Sequence, residues 1–236
     1  MLAVIDSRTP VSACDELRKM GVDLCPLPIF SQLDPPVSGH PDMLLFFAQD
    51  AIICSKSYAQ IAEPQLQRIS AHTKLPIVLT EQSPLAEYPH DIALNAAIIG
   101  EKLLCFPKYT AKEITDRFEG RVLSVRQGYA KCSTLPIEKR ALITEDPTIE
   151  KVARQNGFDV LKIRSDSVRL DGYSTGFFGG ATSYSPYREL DFILCCGDLD
   201  THPDAEKIRV FCQKYNQKII SLGNFPLYDV GTIFLL

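Results

Sequence analysis

Cys132 directly follows Lys131 in the stretch Gly128-Tyr129-Ala130-Lys131-Cys132-Ser133. An ammonium and backbone N–H groups beside a thiol lower its pKa and favour the thiolate, so this pair is the candidate for nucleophilic chemistry. The competing reading is that Cys132 is the small residue a turn needs, as Gly176 and Gly231 are in the corresponding stretches. His40 and His90 each have a carboxylate close by in sequence, Asp42 and Asp91. A carboxylate can hold an imidazole in one tautomer, which suits a proton shuttle; a loop histidine hydrogen-bonded into its turn is the plainer account. Asp91, Asp171 and Asp229 fall near equivalent loops, and carboxylates around one cavity would hold a guanidinium or an amine by charge-assisted hydrogen bonds. They serve equally well as turn residues bonding local N–H groups. Asn95, Tyr129 and Tyr173 lie in the same loop stretches and complete the set of candidate binding residues. A metal site built from His40, His90, Asp42 and Asp91 lacks any recognised ligand spacing, so neither metal nor cofactor is expected. The glycine-rich segment Gly172–Gly180 matches no phosphate-binding loop. It suits backbone in close approach to a neighbour or ligand.

The elements that must position these residues recur along the chain. Short apolar runs begin near Ala3, Ala51, Lys102, Ala141 and Phe192, 39 to 51 residues apart. Each is rich in Leu or β-branched residues and is stopped by polar residues or Pro, as buried strands are. A helical stretch follows each run: Val11 to Met20, Gln60 to Ala71, Thr110 to Phe118, Thr148 to Asn156 and Asp204 to Tyr215. Caps at their starts and glycines past several ends are helix signals. Second apolar runs come next, at 23–28, 75–80, 121–125, 159–163 and 218–222. A loop and a third extended piece then close each unit. The loops align at His40, Ile92, Tyr129, Tyr173 and Tyr228. One such unit cannot bury both faces of its sheet, so neighbours must complete it. Five short units with helices outside therefore predict a single α/β domain over residues 1–236, a five-repeat closed α/β propeller with pseudo-five-fold symmetry. Closure removes exposed sheet edges, and the third strands then lie nearest the axis, where their loops converge.

A net charge of −4 with no long run of one sign argues against nucleic acid as a partner. No apolar stretch approaches the ~18 residues needed to cross a bilayer, and the N-terminal MLAVIDSRTP lacks the pattern of a signal peptide. The eight cysteines form no CxxC pair, which fits free thiols in a reducing cytoplasm. Cys54, Cys105 and Cys195 occupy the same place in three first strands and are expected in the core. A small-molecule ligand is the expected partner, and the oligomeric state is left open.

This pattern resembles the pentein fold of guanidino-group-modifying enzymes, which include arginine deiminase, dimethylarginine dimethylaminohydrolase and amidinotransferases, and also a non-catalytic ribosome anti-association factor. The stretches SGHPDM, VRQGYAKCS and GYSTGFFGGAT resemble an uncharacterised bacterial family of that fold. The resemblance implies a site at the ring centre where a cysteine attacks, a histidine moves a proton and carboxylates hold the guanidinium. In pentein hydrolases that cysteine belongs to the last unit. Here the last unit reads Tyr228-Asp229-Val230-Gly231-Thr232-Ile233, without cysteine, and Gly179-Gly180-Ala181 carries Ala where the enzymes carry Asp. Two function classes stay open. One is a hydrolase or transferase of guanidino or amidino compounds, with Cys132 as nucleophile, His40 or His90 as proton shuttle, and Asp42, Asp91, Asn95, Tyr129, Tyr173 and Asp229 around the substrate. The other is a non-catalytic pentein that binds a metabolite or a protein.

Overall fold

The computed structural model describes residues 1–236. The first unit runs β1 (Leu2–Asp6), α1 (Val11–Lys19) and β2 (Asp23–Leu27), then a helical turn α2 (Pro41–Leu44) that leads into β3 (Leu45–Phe47). The second has β4 (Ile52–Ser55), α3 (Lys56–Ile61), α4 (Glu63–Thr73), β5 (Ile77–Thr80) and β6 (Ala97–Ile99). The third has β7 (Lys102–Cys105), α5 (Lys112–Thr115), β8 (Arg121–Ser124) and β9 (Thr134–Glu138). The fourth has β10 (Ala141–Thr144), α6 (Pro147–Gln155), β11 (Asp159–Lys162) and β12 (Ser183–Tyr184). The fifth has β13 (Phe192–Cys195), α7 (Ala205–Lys214), β14 (Lys218–Ser221) and β15 (Ile233–Leu235).

In every unit the first and second strands pair in parallel across their helix, the connection that parallel strands require. The third strand does not join them. β3 pairs antiparallel with β4, β6 with β7 and β9 with β10, so the sheets of units two, three and four take their third strand from the unit before, whereas β12 pairs with β15. The cause is loop length. Two residues, Gly100-Glu101 or Lys139-Arg140, separate β6 from β7 and β9 from β10, and connections this short favour antiparallel hairpins. Between β12 and β13 the chain is longer, and the pairing shrinks to one bridge, Thr182 to Cys195. The last strand, β15, returns to the first sheet. It pairs antiparallel with β1, and Leu2 and Leu236 exchange two backbone hydrogen bonds of 3.0 and 2.8 Å. The result is five separate sheets in a mixed α/β fold.

Most helices keep their expected bounds. The stretch expected as Gln60 to Ala71 is two helices, because the chain breaks at Ala62 and restarts with Pro64 in the first turn, where Pro costs no hydrogen bond. The third-unit helix is a single turn, shorter than the stretch from Thr110 to Phe118. Asp146 caps α6 by accepting from the amides of Thr148 and Ile149. All eight cysteines are free thiols, and Cys54, Cys105 and Cys195 are fully buried at matching strand ends. No helix is long and apolar enough to cross a membrane.

Four of the five third strands share a common centre. Residues of β3, β6, β12 and β15, with Asp42 and Lys131, line a void of about 10 Å³, too small to hold more than one water. The loops that precede these strands therefore open on one end of that centre.

Candidate functional site

A buried polar knot takes residues from all five units. Asp42 sits in the first turn of α2, behind Pro41; its amide donates to the Gly231 carbonyl at 3.0 Å and so ties unit one to unit five. Its Oδ2 accepts from the Thr232 hydroxyl at 2.8 Å and from the Cys132 thiol at 3.2 Å. Asn95, from unit two, uses Oδ1 to accept the amides of Lys131 and Cys132 at 2.7 and 3.3 Å. Its Nδ2 donates to the Cys132 sulfur at 3.0 Å and to the Asp42 carbonyl at 3.2 Å. Lys131 is 2% exposed, donates to Thr232 Oγ1 at 2.9 Å and lies over the rings of Tyr184 and Phe234. Gly179, from unit four, brings its carbonyl to 3.2 Å from Thr232 Oγ1.

Carboxylates and aromatic rings surround the knot on the loop side. Asp229 accepts from the amides of Phe177 and Gly231 at 2.8 and 2.9 Å, and its Oδ1 is 3.8 Å from His40 Nδ1. Glycine is required here: a methyl group at Gly180 would lie 2.1 Å from Asp229 Oδ1. Glu145, at the end of β10, accepts from the Phe178 amide at 3.1 Å. Asp91 accepts from the Tyr129 hydroxyl at 2.6 Å, and the Tyr129 ring stands between Tyr88 and Phe177, with centroids 5.5 and 5.7 Å away. Four polar atoms in this region are buried without a partner: His40 Nδ1, Asp42 Oδ1, Asp91 Oδ1 and Glu145 Oε2.

The electrostatics are those of an acid-rich interior. Asp42 and Asp229 lie near one buried ammonium, Lys131, and Asp229 near one buried imidazole, His40. Burial raises the Asp91 carboxyl, against the pull of the Tyr129 hydrogen bond. Burial also raises Asp229, with Asp42 adding to the effect and His40 opposing it. Glu145 is pushed up to about 8 by burial and by the charge of Asp229. Lys131 is lowered by burial, which its acidic neighbours only partly offset.

These contacts sort the residues picked from the sequence. His40, Asp42, Asn95, Cys132 and Asp229 come together, with Asp91 and Tyr129 joined to them through the Phe177 ring. Tyr173 is at the rim, 44% exposed, with its hydroxyl on Asp34 at 2.7 Å. His90 is exposed, with its ring edge-on to Tyr109 at 5.9 Å, and does not join the cluster. Lys131 does not activate Cys132 as its position in sequence suggested, since its ammonium bonds Thr232. Cys132 is instead 3% exposed and its thiol is raised well above the ordinary range, by burial first and then by the carboxylates of Asp42 and Asp229. Sequence reasoning missed Glu145, Thr232 and Asp34. Glu145 alone left a signal, an acid directly after the buried run Ala141–Thr144.

A cavity of about 620 Å³ lies elsewhere, at the C-terminal ends of the third strands, with Phe47, Ile98, Pro136, Tyr184 and Tyr187 in its walls. No histidine, cysteine or buried carboxylate lines it.

In overall fold the chain is similar to dimethylarginine dimethylaminohydrolase bearing an S-methyl-L-thiocitrulline adduct, with 10% identity, a TM-score of 0.57, and 93% of this chain and 91% of that one covered. The enzyme from Pseudomonas aeruginosa, as a cysteine-to-serine mutant complexed with citrulline, gives 10% identity, a TM-score of 0.56 and the same coverage. Agmatine deiminase of C. jejuni gives 10% identity and a TM-score of 0.51, with 94% and 76% covered. These likenesses define the class: the chain has the pentein fold. Within that class it belongs to the family of unknown function DUF6873, which it matches over residues 4–234. No curated protein matches the sequence.

Proposed function

We propose that the five units close into a ring and that its loop end binds a small organic cation of the guanidino or amidino class. The carrying observation is the excess of buried carboxylates at that end, with oxygens of Asp42, Asp91 and Glu145 and a nitrogen of His40 left without partners. An unpaired buried acceptor is costly, and a planar cation with several N–H donors would satisfy these groups together. The return of β15 to β1 supports closure. The S-methyl-L-thiocitrulline adduct in a solved dimethylarginine dimethylaminohydrolase structure, an amidino-type compound, favours this ligand class.

The reading is of binding without a Cys132 nucleophile. Attack by sulfur needs a thiolate, and burial, together with the acidic neighbours of Cys132, keeps it a thiol that donates to Asp42. Alkylation of Cys132 by iodoacetamide is expected to be slow at pH 7 and pH 8 alike. Rapid labelling with an inflection near neutrality would restore the hydrolase or transferase reading, with Cys132 attacking and His40 accepting the proton.

Binding itself is tested by calorimetry with methylguanidinium and its neutral isostere, methylurea. Methylguanidinium should bind and methylurea should not. Asp91→Asn should weaken methylguanidinium by about tenfold to a hundredfold, the loss of one charge-assisted hydrogen bond. Equal binding of the two compounds, or of neither, would reject the cation site.

A further inference from the structure

We propose that the empty site holds a proton on the Glu145–Asp229 carboxylate pair and that an entering organic cation displaces it, so that ligand uptake is a one-for-one exchange of cation for proton. The inference builds on the cation-binding reading and adds how the site stays neutral without its ligand. Consecutive amides place the two carboxylates: Phe177 donates to Asp229 Oδ2 at 2.8 Å and Phe178 to Glu145 Oε1 at 3.1 Å. Glu145 Oε2 is buried and has no partner. A methyl group at Gly180 would lie 2.1 Å from Asp229 Oδ1, so glycine there leaves room for the carboxylate.

The charged groups around the pair, Lys162 for Glu145 and His40 for Asp229, offset it only in part. Lys131 bonds Thr232, and Lys162, on β11, donates to the carbonyl of Ile163 at 3.1 Å. His40 stands 3.8 Å from Asp229 without a hydrogen bond, and Asp42 on the far side adds negative charge. Asp146, next in sequence to Glu145, is occupied by Thr148, Ile149 and Gln127. Two neighbouring carboxylates in this setting cannot both ionise cheaply, so one keeps its proton. Both Asp229 oxygens accept amide hydrogen bonds whereas Glu145 Oε2 is buried without one, and burial pushes the Glu145 carboxyl up, so the proton falls to its side of the pair. When the cation arrives, the O–H bond of the carboxyl breaks, the proton passes to buffer, and the carboxylate accepts the cation's N–H groups. Charge and atoms balance without a further reactant.

The test joins two measurements on the whole chain. Carboxyl carbon-13 NMR of the ligand-free protein should show one glutamate titrating near 8 that is missing from Glu145→Gln. The affinity for methylguanidinium should rise about tenfold per pH unit between pH 6 and 7.5, the slope for loss of one proton. In Glu145→Gln it should be flat. No glutamate titrating above about 6 would overturn the proposal whatever binds. A high-titrating Glu145 with a pH-independent affinity would overturn the exchange and leave the cation site standing. If methylguanidinium fails to bind at any pH, the cation-binding reading falls and the exchange falls with it, even where Glu145 titrates near 8.

Discussion

Gly231→Ala is expected to destabilise the fold by about 3–5 kcal/mol, whereas Gly157→Ala should cost only about 1–2 kcal/mol. Both glycines have left-handed backbones, with φ of +68° and +79°, so an L-residue pays a similar conformational penalty at each. They differ in what a side chain meets. At Gly157, past the end of α6, nothing lies within 4 Å of an added methyl group. At Gly231 the methyl would lie 2.2 Å from His40 Cβ. Neither partner can retreat. The Gly231 amide is held by Asp229 and its carbonyl by the Asp42 amide, and His40 is 2% exposed. Relief would have to separate unit five from unit one, where the two loops meet over the polar knot. Urea unfolding of the two variants measures the difference directly. Equal losses would show that His40 and Gly231 are not in contact and that the loop end is built otherwise.

The same contact explains what the sequence could and could not convey. Strands and helices were legible because their burial is written in local periodicity. Cys54, Cys105 and Cys195 even betray their equivalent strand positions. Which sheet each third strand joins was not legible from unit boundaries alone, since it depends on hairpins as short as Gly100-Glu101. The site was half legible. His40, Asp42, Asn95, Cys132 and Asp229 share a loop register, and register carried them to one place. His90 has the right residue type and sits next to Asp91, yet two adjacent residues can face opposite ways, and it faces solvent. Lys131 and Cys132 fail as an activated pair for the same reason: adjacency in sequence did not become contact between ammonium and sulfur. Glu145 comes from the end of a first strand, outside the loops being aligned, and only the assembled fold brings it beside Asp229.

Between about pH 5 and pH 8 the stability of the protein is expected to carry a falling contribution from Glu145, with a full span of about 3–5 kcal/mol. In the unfolded chain this carboxyl titrates near its ordinary 4.5, and in the fold near 8. Across that interval the native state binds the additional proton, so the contribution is fully present below the unfolded value and is lost as pH rises through the folded one. Asp91 and Asp229, also raised by burial, act in the same sense. His202 acts in the opposite sense, because burial lowers its imidazole and the fold prefers the neutral form. Asp146, Asp159 and Asp204 are held below the usual carboxylate range by their hydrogen-bond partners, so their contributions change only in more acidic solution. The informative quantity is therefore the difference between the wild type and Glu145→Gln, in which His202 and the aspartates other than Asp229 cancel, and which reports Glu145 together with its coupling to Asp229. That difference, from urea midpoints at pH 5, 6, 7 and 8, should shift steadily in favour of the glutamine variant as pH rises. At pH 8 the glutamine chain, with no charge to bury, should be the more stable of the two. A difference that does not change with pH would mean that Glu145 ionises freely in the fold, and that Oε2 reaches water or a cation at the loop end.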